Sequence, residues 1–140
     1  ALVGDTSFGY PKRTGSGIDY NRLNLLIAVL NRRTKLDLTA KDVYVNVVGG
    51  LTLREPAADL AICMAIASAA KGMQLAQDFV VFGEVGLSGE IRHVTHVEKR
   101  LAEAKKLGFK GAIGPRRRTK SNQLKSVASL RDALNEFLTT

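Results

Sequence analysis

The stretch from Pro56 to Gly72 constrains the fold of this chain more than any other part of the sequence. Pro56 suits the first turn of a helix, because the N–H that proline lacks has no intrahelical partner there, and Gly72 suits the position just after a helix ends. The run from Leu60 to Ala67 between them is entirely apolar. A helix that is apolar nearly all round must be covered on most sides. The sequence therefore predicts a core helix around which the rest of the domain packs.

Helical and strand patterns alternate along the rest of the chain. Asp19 suits the N-cap of an amphipathic helix that ends near Arg33, and the alternation over residues 42–48 predicts a strand that two glycines close. Residues 83–92 predict a glycine-containing hairpin, whereas the glycines and proline of residues 6–17 predict a loop. Further strands are expected at residues 1–3, 79–82, 112–113 and 126–128, and further helices at residues 97–107 and 130–138. This order predicts an α/β or α+β domain with a mixed sheet.

Length and composition are typical of one folded domain. The chain has 140 residues, of which 45% are hydrophobic and 24% charged, as in a soluble globular protein. No apolar run approaches the roughly 20 residues that a membrane-spanning helix needs, and no secretory leader is recognisable. The single cysteine, Cys63, excludes an intrachain disulfide, so we expect a cytoplasmic protein with no membrane partner. The abrupt, strand-like start at Ala1 leads us to expect a fragment of a longer protein.

The net charge of +8 comes from one part of the chain. Residues 92–125, called the basic segment from here on, contain eleven Lys/Arg and two acidic residues, whereas the remaining residues contain ten Lys/Arg and eleven acidic residues. A bias of this kind favours a polyanionic partner, with nucleic acid as the first candidate. A solvated helix face followed by a basic loop would give the same composition.

Motifs for nucleotide, metal or nucleophilic chemistry are absent or in the wrong place. The sequence has no phosphate-cradling glycine loop, so we expect no ATP hydrolysis and no cofactor in this fragment. His93 and His96 have no cysteine or carboxylate at metal-ligand spacing, which predicts no metal site. Ser68 and Lys71 match the S-x-x-K pattern of β-lactamase-type enzymes. They fall at the C-terminal end of the predicted helix, however, where the dipole does not favour a nucleophile.

Several motifs in order resemble a known family. Three stretches are similar to the C-terminal Lon-protease-like domain of the RadA (Sms) family, bacterial RecA paralogues that act in DNA repair. They are REPAADLAICMAIAS, FGEVGLSGEIRHV and RLAEAKKLGF. SFGYPKR, DYNR and DVYVNVVGG match the same family upstream, so the resemblance covers residues 1–115, with a weaker tail. It implies the ribosomal S-five domain-2-like fold shared with the proteolytic domain of Lon. Residues 1–140 would then be a single C-terminal domain. A zinc finger and a RecA-like ATPase would precede Ala1, and ATP, magnesium and zinc would bind there.

The resemblance to Lon also places a catalytic site, and the chemistry is missing from it. Lon is a Ser–Lys peptidase whose nucleophile lies in a D-G-P-S-A-G sequence at the mouth of an apolar helix. When that sequence is set on REPAAD, the proline matches Pro56 and the serine falls on Ala57. The lysine falls on Glu98, with Lys99 one residue away. A methyl group has no lone pair with which to attack a carbonyl. We therefore predict that the fragment is not an enzyme, and an active Ser–Lys peptidase is the disfavoured alternative.

The resemblance implies a ring-forming, ATP-dependent motor that branch-migrates DNA recombination intermediates. This domain would form a hexameric platform in it and offer a basic surface to DNA, with RecA recombinase as a further partner. We expect contacts to the phosphates of single- or double-stranded DNA without base specificity, made chiefly by arginines. The candidates are Arg13, Arg22, Arg54 and Arg92 in the family motifs, and Arg116, Arg117, Arg118 and Lys120 in a basic loop. A solvated charge or an intersubunit salt bridge is the alternative for each of them.

Two further interpretations accompany this one. The related Lon-like domain of magnesium-chelatase-like AAA+ proteins has a similar Gly-Glu hairpin, but SFGYPKR and EPAADLA fit the RadA family better. Glu55 and Asp59, which lie beside the predicted helix start, are favoured there by the helix dipole. For both acids we expect a structural role, either in capping the helix or in pairing with Arg54 or a neighbouring subunit.

Overall fold

Four α-helices alternate with ten short strands in the computed structural model, which describes residues 1–50, 52–117 and 121–139. The helices are α1 (Tyr20–Arg33), α2 (Asp59–Lys71), α3 (Val97–Lys106) and α4 (Leu130–Phe137). The strands are β1 (Leu2–Asp5), β2 (Arg13–Ser16), β3 (Lys41–Asn46), β4 (Gln74–Leu75), β5 (Phe79–Val81), β6 (Glu84–Val85), β7 (Ile91–Arg92), β8 (Gly111–Pro115), β9 (Leu124–Val127) and β10 (Leu138–Thr139). No helix among these residues is long and apolar enough to cross a membrane.

The apolar helix α2 lies in the core, as its sequence predicts. Pro56–Ala58 form a 3-10 turn that leads directly into α2, and Gly72 ends the helix in the left-handed conformation, with φ of 64°. Leu60, Met64 and Ile66 are completely buried. Helices α1 and α4 and strands β1 and β6 all contact α2. The apolar surface of the helix is thus covered from several directions, and the first prediction from the sequence is confirmed.

The strands form several small sheets, and their mixed directions confirm the α+β class. In the first sheet β3 lies between β1, which is antiparallel to it, and β2, which is parallel to it. In the second sheet β8 lies between β5 and β9, and all three strands are parallel. Strands β6 and β7 form the predicted hairpin, and β4 pairs with β10. The predicted mixed sheet is therefore present as separate pieces.

Strand β2 lies inside the segment for which the sequence predicts a loop, so that prediction is wrong for Arg13–Ser16. The strand carries no large apolar side chain, because it runs very close to α1 and the turn before it. A Cβ at Gly15 would lie 2.6 Å from Cγ2 of Ile18 and 3.2 Å from Cδ2 of Leu23. A strand that packs through a glycine has no hydrophobic alternation, and alternation is the main signal for a strand in a sequence.

Helix α3 packs on β8 and forms a second, smaller core. Leu101 and Ala104 on the helix are buried together with Phe82 and Ala112. The basic segment therefore begins in the β6–β7 hairpin, includes α3 and β8, and ends in β9. The short amphipathic helix brings its charged face to the outside of the domain, whereas the larger core is built by α1, α2 and α4.

Candidate functional site

A cleft of about 650 Å³ opens at the mouth of α2. One wall is formed by residues 17–19 and Arg22 at the start of α1, and the other by residues 52–56 and the first turns of α2. A parallel bridge between Ile18 and Leu53 joins the two walls, and the Leu53 N–H donates to the carbonyl of Gly17 at 2.6 Å. The cleft thus coincides with the REPAADLA motif, at the place where the resemblance to Lon puts a catalytic site.

A buried carboxylate holds the mouth of α2 together. Asp59 is only 2% exposed and accepts two hydrogen bonds from the Arg22 guanidinium, one of them from Nε at 3.0 Å to Oδ1. The same carboxylate accepts the Val85 N–H at 3.1 Å. The hydrogen bond to Asp59 raises the pKa of Arg22. One side chain therefore joins α1, α2 and the hairpin, which agrees with the structural role expected of Asp59, although its partner is Arg22 and not Arg54.

Ala57 lies where the resemblance to Lon places the nucleophile, and its methyl group is buried, with 5% exposed. The hairpin approaches this turn closely. The Gly83 N–H donates to the Ala57 carbonyl at 2.8 Å, and the Leu60 N–H donates to the Gly83 carbonyl at 3.0 Å. A Cβ at Gly83 would lie 2.9 Å from Cγ2 of Ile91. The helix mouth and the hairpin are therefore adjacent, and the methyl side chain at position 57 carries no nucleophilic atom.

The residues aligned with the Lon lysine lie in the first turn of α3. Glu98 is exposed and accepts a hydrogen bond from the Arg117 guanidinium, and Lys99 is exposed. Arg100, which is not among the residues predicted from the sequence, forms an ion pair with Glu55 at the edge of the cleft instead. Its guanidinium lies 5.8 Å from the centroid of the Phe82 ring, and its Nε donates to the Thr95 carbonyl. Glu55 therefore also has the structural role expected of it, with Arg100 as its partner and not Arg54.

Arg100 could have been found from its place in the helical pattern. It lies next to Leu101 and between Val97 and Ala104 on the buried side of α3, so its charge needs a partner inside the fold. A cation on the apolar side of an amphipathic helix is a stronger signal for an internal contact than a cation in a motif. Glu55 is a suitable partner for it.

Two of the arginines proposed as phosphate contacts are used inside the protein. The Arg13 guanidinium donates to the carbonyls of Lys41 and Leu38, and burial lowers the pKa of Arg13. Arg22 is held by Asp59. A guanidinium whose donors are satisfied by buried carbonyls or a carboxylate has few left for a phosphate. Both arginines therefore have a role in the fold, and their contact with phosphate stays a prediction.

The remaining predicted arginines differ in how available they are. Arg54 and Arg116 are exposed, and neither has an ion pair within the described ranges. Arg92 is exposed and lies 3.3 Å from Glu90, whereas Arg117 is half-buried and held by Glu98. Arg118 and Lys120 lie outside the described residues. The structure thus leaves Arg54, Arg92 and Arg116 as accessible members of the predicted set.

Lysines add to the accessible charge of the basic segment. Four of them are exposed and have no ion pair in the part of the chain that the structure describes: Lys99, Lys105, Lys106 and Lys125. Three of the four lie on α3, whose apolar side is turned to the second core. The predicted contacts are mostly arginines, but lysines form most of the accessible charge among the described residues of this segment.

The other motifs considered from the sequence have structural explanations. The Ser68 hydroxyl donates to the Met73 carbonyl just beyond the end of α2, and Lys71 is exposed in the last turn of that helix. His93 and His96 are both exposed. Among the described residues there is no group of three or more His, Cys, Asp or Glu side chains that could hold a metal ion.

Comparison with known proteins connects this arrangement to a family. A family model described as subunit ChlI of Mg-chelatase matches residues 21–118, a range that includes most of α1, the cleft wall formed by residues 52–56 and α2, the hairpin and α3. The DNA repair protein RadA of Aquifex aeolicus is 50% identical over 116 residues, which are 83% of this chain and 26% of that protein.

Further relatives extend over nearly the whole chain. The DNA repair protein RadA of Escherichia coli K12 is 44% identical over 142 residues, covering 98% of this chain and 31% of the relative. That of Chlamydia pneumoniae is 42% identical over 146 residues, covering 99% and 32%. The chain therefore spans about a quarter to a third of the length of the curated relatives it matches. These matches confirm the resemblance seen in the motifs: the chain belongs to the family described as subunit ChlI of Mg-chelatase, and it is a homologue of a segment of the DNA repair proteins RadA.

Proposed function

We propose that this chain is a non-catalytic DNA-binding and hexamer-scaffold domain of a RadA-type DNA repair protein. The observation that carries the proposal is the accessible charge of the basic segment, where four exposed lysines and Arg116 have no ion pair among the described residues. The relatives named DNA repair proteins make DNA the polyanion that best fits this charge.

The distribution of charge supports binding through phosphates. Outside the basic segment acidic and basic residues nearly balance, so the excess positive charge is on one part of the domain. Lysines and arginines that neutralise phosphates release counterions, and the affinity then falls steeply with salt. Arg54 and Arg92 would extend the contact towards the cleft and the hairpin. Lysine is a point charge without base-reading geometry, which favours binding without sequence preference.

The proposal includes a cleft that does not cleave peptides. Ala57 supplies no nucleophile, and Glu98 is paired with Arg117 at the position of the Lon lysine. Three charged residues that line the cleft are engaged in ion pairs, Asp59 with Arg22 and Glu55 with Arg100 of α3. Hydrolysis of unfolded casein by the 140-residue chain, abolished by one substitution in the cleft, would overturn this part of the proposal.

For the whole protein we propose an ATP-dependent motor for DNA branch migration in the bacterial cytoplasm. Residues 1–140 would form its single C-terminal domain, with the Lon-like fold as ring platform. ATP and magnesium would bind to a RecA-like ATPase and zinc to a zinc finger, both outside this chain, and RecA recombinase would be a further partner. Sedimentation of the full-length protein and of this chain tests the ring, because a hexameric platform predicts a mass several times that of the 15.1 kDa monomer.

DNA binding is tested by fluorescence anisotropy with labelled single strands and duplexes over a salt series. We expect a steep linear fall of log K with log salt concentration. Lys105→Glu and Arg116→Glu should each weaken binding and lower the slope by about one or more. Lys35→Glu is the matched control, because Lys35 is an exposed lysine outside the basic segment. Binding that is insensitive to salt, or an equal effect of all three variants, would leave a purely structural ring platform.

The family model supports a second candidate, the Lon-like domain of a magnesium-chelatase-like AAA+ protein. The two candidates differ in the domains that accompany this one. A zinc finger and a RecA-type motor before Ala1 would support the first proposal, and an AAA+ module beside the domain would support the second. The sequence of the complete gene decides between them.

A further inference from the structure

The loop between β1 and β2, residues 6–12, presents two aromatic rings to solvent and is called the aromatic loop below. Phe8 is 91% exposed and Tyr10 is 94% exposed, the two highest values among the large hydrophobic side chains described. Aromatic side chains dominate cores and interfaces, because burying them contributes much free energy. Two rings that lie two positions apart in one loop and are left almost wholly in water therefore indicate a surface that acquires a partner.

The base of the aromatic loop is firmly held. Oδ1 of Asp42 on β3 accepts the Thr6 hydroxyl at 3.0 Å and the Lys12 N–H at 2.7 Å, so one carboxylate joins both ends of the loop. The Thr6 N–H donates to the Ala40 carbonyl at 3.0 Å. These bonds are strong enough to lower the pKa of Asp42, the Lys12 N–H being the largest cause. The rings are thus carried on a fixed base.

The tip of the loop turns between the two rings. Gly9 has φ of 77° and lies between Phe8 and Tyr10, and a Cβ at Gly9 would meet nothing within 4 Å. Space around the tip is therefore open. Pro11 follows Tyr10 and limits the freedom of the chain further. The affinity for a partner that contacts the rings would be higher because the loop already holds them in solvent, so little conformational entropy is lost on binding.

A positively charged residue follows the rings closely in the sequence of the loop. Lys12 is exposed, and it has no ion pair within the described ranges. Exposed aromatic rings next to a cation are the combination with which proteins bind single-stranded nucleic acid, since bases stack on the rings and phosphates approach the charge. Bases within a duplex are already stacked on one another and do not offer a free face, except at ends and junctions.

We propose that the aromatic loop binds single-stranded DNA, with Phe8 and Tyr10 stacking on unpaired bases and Lys12 facing a phosphate. This inference rests on the proposed function, since it presupposes that the chain binds DNA. It adds a second kind of contact at a separate place: the basic segment holds phosphates of any DNA, whereas the aromatic loop distinguishes unpaired from paired bases.

The first test compares ring-removing and ring-conserving variants of the 140-residue chain. Phe8→Ala and Tyr10→Ala should each weaken binding of a labelled oligothymidine by about tenfold. They should leave the affinity for a circular duplex without ends and the salt dependence unchanged, because they remove no phosphate contact and such a duplex offers no free base face. Phe8→Tyr and Tyr10→Phe should keep the wild-type affinity. The rings are exposed, so all four variants are expected to fold, which melting curves check.

The outcomes separate this inference from the proposed function. If the wild-type chain binds neither single strands nor duplex, the proposed function fails and the inference fails with it. If it binds DNA with a steep salt dependence but the alanine variants bind oligothymidine as tightly as the wild type, only the stacking inference is overturned. If those variants change the sedimenting mass and leave DNA affinity unchanged, the loop contacts a second copy of the chain, and the inference is again overturned.

A fluorescence experiment tests stacking directly. The chain contains no tryptophan, so Phe8→Trp introduces a single indole at the tip of the loop. Oligothymidine should quench its emission, because a stacked base quenches the ring, and a duplex should not. Leu107→Trp is the matched control: Leu107 is 65% exposed and lies in the basic segment, where we expect phosphates without stacking. Equal quenching at both positions, or none at position 8, would contradict the proposal.

Discussion

The mouth of α2 and the basic segment use charged side chains in opposite ways. At the mouth, the buried Asp59 carboxylate is satisfied by Arg22 and by a backbone N–H. In the basic segment, Lys105 and Lys106 are exposed and have no ion pair among the described residues. A buried pair cannot be opened for a ligand without a large cost, whereas an exposed lysine is solvated and remains available. Net charge therefore locates a binding surface only after the charges that are paired within the fold have been left out.

The largest effect should come from breaking the buried pair. Asp59→Ala leaves the Arg22 guanidinium and the Val85 N–H without their acceptor, and we expect it to lower the free energy of unfolding by about 3 kcal/mol. Urea denaturation followed by circular dichroism measures the change. Glu136→Ala is the control, because Glu136 is exposed on α4 and should change stability by less than about 0.5 kcal/mol. Equal midpoints for the two variants would show that the carboxylate does not hold the mouth together.

Two arginines that line the same cleft test the difference between a paired and an available charge. Arg22→Gln should destabilise the domain and leave the salt dependence of DNA binding unchanged, since Arg22 is held by Asp59. Arg54→Gln should do the reverse: Arg54 is exposed, so stability should change by less than about 0.5 kcal/mol and the salt slope should fall by about one. Denaturation and anisotropy on the same two variants test this. A lower slope for Arg22→Gln would mean that the ion pair opens to receive a phosphate.

In the use of its charge, Asp42 is intermediate between the paired residues at the mouth of α2 and the exposed lysines of the basic segment. It is half-buried, and its hydrogen-bond partners are a backbone N–H and a hydroxyl. Its hydrogen bonds from Lys12 and Thr6 lower its pKa in the folded state. A lowered folded-state pKa contributes stability above the unfolded value, about 3.9 for aspartate, and this contribution is lost as the pH falls through the folded value. Asp42→Asn should therefore lower the melting temperature at neutral pH and flatten its fall in acid.

Melting temperatures of the wild type, Asp42→Asn and Glu103→Gln between neutral and acidic pH test that prediction. Glu103 is an exposed acid on α3, so its variant should follow the wild-type curve. If the melting temperature of Asp42→Asn falls with pH as steeply as that of the wild type, the carboxylate does not fix the aromatic loop through its charge. Other groups then dominate the acid transition.

The elements that carry their own pattern could be predicted from the sequence. Helix α2 is apolar and delimited by Pro56 and Gly72, and α1 is capped by Asp19, whose carboxylate accepts the Arg22 N–H. Strand β2 was missed because it packs through Gly15 and has no apolar period. Ion pairs were the other failure, since Arg22 with Asp59 and Arg100 with Glu55 connect residues more than 30 positions apart. Local patterns do not contain the register that brings such residues together.

The smallest expected effect concerns the missing nucleophile. Ala57→Ser restores the hydroxyl at the position matched to the Lon serine, and its buried oxygen should lower stability by about 1 kcal/mol. We expect no hydrolysis of casein or of an activated acyl ester, because a serine needs an adjacent base and the position aligned with the Lon lysine carries Glu98, which is paired with Arg117. Ala65→Ser, on α2, is the control. Hydrolysis by Ala57→Ser alone would mean that a base faces position 57. The site would then lack only the serine hydroxyl, and the ion pairs around it would not be what prevents catalysis.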